Sequence, residues 1–117
     1  MSFNLKLDGA ATRMTAADVR DLVHGQIGNG WDRTNLHNVD LRTALVEPPK
    51  RMTFLRASDE KPMEAWLVLH EDPKLKLGYA VVYDEVSGEF GLAQFAKGYE
   101  PCLVGIYGDF FTTLEAM

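Results

Sequence analysis

Cysteine is nearly absent from this chain: Cys102 stands alone among 117 residues. A single thiol closes no internal disulfide, which excludes the stapled scaffolds of small secreted domains. Beginning the apolar run CLVGI, Cys102 reads as a small inert core residue rather than a catalytic thiol. Long apolar runs are missing as well. The longest, Ala65 to Leu69, falls far short of a membrane-spanning helix. The segment MSFNLKLDGAATRM lacks the apolar core of about 7–15 residues found in secretory signals. These absences lead us to expect a cytoplasmic protein, bacterial in character, with no membrane association.

Basic charge is scarce in the second half. Residues 57–117 carry a charge of −7 and residues 1–56 carry +2, for a total of −5. Nucleic-acid affinity rests largely on neutralised phosphates, so an acidic half argues against it. Lys50, Arg51 and Arg56 form a short basic cluster that reads as solvated strand-edge charge.

Recognisable site motifs are also lacking. The stretch HGQIGNGWDRTNLHN, residues 24–38, gathers two of the three histidines and three of the ten glycines. Gly25 and Gly30 have the first spacing of a phosphate-binding loop, but Trp31 and Asp32 follow where Lys and Ser/Thr are needed. Gly28-Asn-Gly30 supplies half of a dinucleotide fingerprint, and Arg33 stands where the third glycine belongs. His24, Asp32, His37 and Asp40 offer metal-ligand atoms at no spacing that defines a site. The stretch therefore reads as a hinge between helix and sheet, with Trp31 as its apolar anchor. The segment from Asp84 to Glu89 lacks the ligand alternation of a calcium loop and reads as a solvated hairpin tip.

What the chain does contain is regular patterning. Thr15 and Asp18 make a capping box, and Val19, Leu22, Val23 and Ile27 recur with helical period, predicting a helix over 16–27 that Gly28 stops with a left-handed cap. Asp40 to Val46 can make a short helix (40–46), and Pro48-Pro49 end whatever precedes them. Beyond them the period changes to that of strands, predicted at 51–57, 63–70, 77–84, 89–96 and 102–107. Short turn-rich connections imply antiparallel neighbours in a meander. Asp109 caps a last helix over 109–117, with Phe110, Phe111, Leu114 and Met117 at helical spacing. The fold class expected is α+β: one domain over 1–117, an N-terminal helix, an antiparallel meander of about five strands and a short C-terminal helix.

The sheet carries the candidate site. Trp66, Val68, Tyr79, Val81 and Tyr83 cannot all face one helical layer, so the second and third strands are apolar on both faces. With His70 and Asp84 interspersed, Trp66, Tyr79 and Tyr83 form a candidate binding cluster, in which an Asp84-oriented His70 would serve as a base. The bland alternative is solvated strand termini. No catalytic group, metal site or cofactor is expected. The leading expectation is a small acidic, non-enzymatic interaction or regulatory domain that binds a protein partner or itself as a homodimer through an apolar sheet face. The alternative is a small-molecule-binding or catalytic domain with a pocket on the curved sheet.

Overall fold

The computed structural model describes residues 13–117. Helix α1 spans Ala16–Ile27 and opens on the expected capping box: the Asp18 amide donates to Thr15 Oγ1 at 3.1 Å and the Thr15 amide to Asp18 Oδ2 at 2.9 Å. Its apolar stripe buries Val19, Val23 and Ile27. Gly28 ends it with φ +54°, and its amide donates to the His24 carbonyl at 2.9 Å. Its ψ of −118° places it outside the left-handed helical well expected for that cap. A single turn, α2 (Leu41–Ala44), capped by Asp40, leads straight into the sheet.

Five strands follow: β1 (Leu45–Arg56), β2 (Pro62–Asp72), β3 (Leu77–Asp84), β4 (Glu89–Phe95) and β5 (Cys102–Gly108). The last helix, α3 (Phe110–Glu115), is capped by Asp109. Successive strands pair antiparallel, as a meander requires. The α+β architecture read from the sequence is the one the chain adopts. The meander also closes on itself. An odd number of alternating strands leaves the first and last running the same way, and β1 pairs parallel with β5 through Leu55↔Cys102 and Arg56↔Leu103.

Closure explains the doubly apolar strands. One buried cluster contains no helical residue: Phe54, Ala65, Leu67, Val82, Ala93 and Leu103 fill the barrel's interior. A second cluster unites Val19 and Val23 of α1 and Phe110 of α3 with Trp66, Val81 and Tyr83 on the barrel's outer face. The helices thus cover the outer faces of β2 and β3, and the other faces of these two strands turn inward. Burying an aromatic or aliphatic side chain such as Phe54 contributes about 1.5–3 kcal/mol.

Strand β1 departs from the sequence reading. It begins at Leu45 rather than at residue 51, and Pro48-Pro49 lie within it. Prolines cannot donate to a ladder, and the pairing with β2 is interrupted there, between Leu45↔Leu69 and Lys50↔Leu67. The prolines occupy the irregularity instead of ending the strand. They follow a helical turn of four residues, shorter than the 40–46 expected.

Candidate functional site

A single extra residue in β2 decides which side chains share a face. Leu67 stands opposite Val82 and Leu69 opposite Val81, so Val68 is inserted as a bulge. Before it, Met63, Ala65 and Leu67 point into the barrel and Trp66 points out. Strict alternation would send Leu69 in and His70 out. The bulge reverses this: Leu69 joins the helical cluster, and His70, opposite Ala80, takes the interior face.

His70 accordingly lies at one mouth of the barrel, 3% exposed, with its ring centroid 4.6 Å from that of Phe95. Phe95 in turn stands edge-on to Phe54 of the interior at 6.0 Å, so the histidine caps the aromatic end of the core. Neither His70 Nδ1 nor Nε2 has a hydrogen-bond partner among the described residues. Burial pushes the ring below its ordinary value of 6.5; the carboxylates of Asp72 and Glu71 oppose this and the Lys76 ammonium reinforces it. The ring is one wall of a cleft of about 430 Å³, whose other walls are Leu45 to Pro48 of β1, Met52, Leu67 and Phe95. Lys50 and Lys76 stand exposed at its rim. A cavity of this size and lining falls in the range of small-ligand pockets.

The other residues singled out in the sequence do not join His70. Trp66 and Tyr83 are cross-strand partners on the outer face, buried beneath the helices. Tyr79 shares that outer face and packs against His37, with ring centroids 5.8 Å apart. Asp84 is on the strand next to His70, but at its far end. His70 faces Ala80, and Asp84 lies four steps of strand beyond Ala80, roughly 13 Å at the usual rise. The Asp84 carboxylate accepts from the Val86 amide at 3.0 Å inside its own turn. An Asp84-oriented His70 base does not form.

Beside Asp84, Glu85 is more than a solvated tip. Its Oε1 accepts from Trp66 Nε1 and from the Arg51 guanidinium, both at 2.7 Å, and its Oε2 accepts from the Met14 amide at 3.3 Å. Partial burial raises its carboxyl, but the bonds from Trp66 and Arg51 outweigh this and hold it below its ordinary value. Arg51 also lies 4.5 Å over the Trp66 ring, so this cation belongs to a structural cluster and is not a solvated edge charge. Burial, with Glu85 and Asp84 nearby, raises the Tyr83 hydroxyl.

The stretch of residues 24–38 distributes its two histidines to different partners. His24 Nε2 lies 3.2 Å from Glu47 and His37 Nδ1 lies 2.6 Å from Glu71. Trp31 packs on the helical cluster as the loop's anchor. Arg33 bonds Glu115 at 2.8 Å and Asn35 bonds the Leu114 carbonyl at 2.8 Å, tying the loop to α3. Among the described residues no group of three or more His, Cys, Asp or Glu side chains is placed to hold a metal ion, and no helix is long and apolar enough to cross a membrane. Cys102 is half-buried in β5.

No family model, curated protein or solved structure matches this chain. The cleft at His70 therefore rests on its own geometry. The sequence reading named His70 and missed Lys50, Lys76 and Phe95 as its neighbours. The Pro48-Pro49 pair was the one local sign of an irregular strand beside it.

Proposed function

We propose that this protein is a small-molecule-binding domain whose ligand occupies the cleft at the barrel mouth. The observation that carries this reading is His70, buried with both ring nitrogens unpartnered on the wall of that cleft. A buried polar group without a partner costs about 1–3 kcal/mol, and folded proteins rarely keep one without a use. No carboxylate or hydroxyl among the described residues reaches the ring to form a relay, which suits binding better than catalysis. The test is a thermal-shift screen of small metabolites on the full chain, followed by ¹⁵N NMR of the histidine rings. Ligands that raise the melting temperature should move the His70 resonances. A library that stabilises the protein only while His70 stays silent would place the function elsewhere.

A second reading, a protein-interaction domain that associates with a partner or itself, is supported by β5. The β1–β5 ladder is two residue pairs long, so Val104 to Gly108 pair with β4 alone. Val104, Ile106 and Tyr107 on this segment are exposed. An open strand edge with apolar side chains favours strand addition. Light scattering on the eluting protein tests it: a strict monomer at high concentration counts against self-association, and Ile106→Lys should dissolve any dimer.

A further inference from the structure

The chemistry around the cleft narrows what it can hold. Its inner walls are apolar, with Met52 and Leu67 on adjacent strands and Phe95 closing the end toward the barrel core. Met52 is half-buried and unbranched, so this wall can yield to a ligand. The charged groups on the walls and rim are Glu47, Lys50 and Lys76. Glu47 is already engaged: Arg20 Nε donates to its Oε1 at 3.0 Å, and His24 Nε2 lies 3.2 Å from its Oε2. Neither Lys50 nor Lys76 has an ion-pair partner among the described residues. In an acidic protein of charge −5, two lysines without ion-pair partners among the described residues give this opening a cationic rim, set against the Asp72 and Glu71 carboxylates that also act on the His70 ring. Behind them His70, as a neutral imidazole, offers one N–H donor and one acceptor nitrogen.

Resting on the reading above, we propose that the cleft takes a small amphipathic carboxylate: an apolar body against Met52, Leu67 and Phe95, and a carboxylate held between Lys50 and Lys76 within reach of the His70 ring. A cationic ligand would face two ammonium groups, and a purely apolar one would leave the histidine unpartnered. A monoanion with an apolar body satisfies all three features.

The discriminating probes share one chain and differ in headgroup: octanoate, octanol and octylammonium, each titrated below its aggregation concentration into the full chain and followed by calorimetry and by the His70 ring signals. Octanoate should bind and move His70, octanol about tenfold more weakly, and octylammonium not at all. The double variant Lys50→Gln/Lys76→Gln alters two exposed positions and should fold unchanged by circular dichroism. Its octanoate affinity should fall about tenfold while its octanol affinity stays the same. His70→Leu should bring octanoate down to the level of octanol. Octanol or octylammonium binding at His70 as tightly as octanoate overturns the carboxylate assignment and leaves the binding reading intact. Octanoate affinity unmoved by the lysine variants overturns it too. Silence of His70 toward all three overturns the assignment, and the binding reading falls with it only when the metabolite screen is silent as well.

Discussion

Two polar side chains, the buried His70 and the half-buried Glu85, stand at opposite extremes of satisfaction. Glu85 accepts three donors from three different parts of the chain, Met14, Arg51 and Trp66. Glu85→Ala would strand a half-buried guanidinium and an indole N–H together, so we expect a loss of about 1.5–3 kcal/mol in urea unfolding followed by tryptophan fluorescence. Glu85→Gln keeps an acceptor but not the charge, and its loss should be smaller. Unfolding midpoints indistinguishable from the parent protein would show that the cluster adds nothing. His70 is the reverse case. Its ring nitrogens lose hydration and gain no bond. His70→Leu, close in volume and free of polar atoms, should therefore stabilise the chain by about 1–2 kcal/mol while weakening ligand capture. A destabilised His70→Leu would mean that the fold itself depends on the ring. Gain of stability with loss of binding is the signature of a residue kept for function.

At the scale of elements, the legible parts of this fold were those decided within a few residues of chain. The α1 boundaries follow from the Thr15–Asp18 capping box and the spacing of Val19, Val23 and Ile27, and β3 spans Leu77–Asp84, the bounds its doubly apolar run predicts. What depends on pairing was not legible. The Val68 bulge leaves no mark in the run AWLVLH, because every residue there is apolar or tolerates burial, and yet it decides that His70 faces inward. That is why Trp66 and His70 looked like one cluster. Pro48-Pro49 looked like a stop because proline opposes both helix and ladder, and only the partner strand shows that a gap in the ladder receives them. The bulge is open to direct test. Deleting Val68 removes the extra residue and leaves Leu69 outward and His70 inward, so we expect cooperative unfolding to persist, at a cost of about 1.5–3 kcal/mol for the buried Val68 side chain. A deletion variant that no longer melts cooperatively would show that β2 needs the extra residue to meet both of its neighbours. Gly91 marks a close approach of β4 to β5: a Cβ there would lie 2.7 Å from the Gly105 carbonyl oxygen and 2.8 Å from Ile106 Cδ1. Gly91→Ala should cost about 1–3 kcal/mol through the shift of β4 against β5 that it forces.

For the molecule as a whole, pH separates local from global electrostatics. The chain is acidic, with an isoelectric point near 5.1, so lowering the pH from 7 toward 5 removes net charge and eases self-repulsion, which by itself favours the compact state. His70 acts in the opposite direction over the same window. Its folded value lies below 6.5, so the unfolded chain takes up a proton first as the pH falls. Above 6.5 the ring is neutral in both states and pH adds no further cost; below it, stability is lost progressively as the pH falls toward the folded value. Glu85 follows at lower pH: held below its ordinary 4.5, it contributes stability present above that value and lost as the pH falls through the folded one. Unfolding free energy should thus decline in two stages, the first beginning near pH 6.5 against the trend of net charge. Subtracting the curve of His70→Leu from that of the parent protein isolates the first stage, because everything else in the chain is common to both. A difference that stays constant between pH 7 and 5 would mean that the ring protonates in place, and with it would go the picture of a buried, unpartnered imidazole at the barrel mouth.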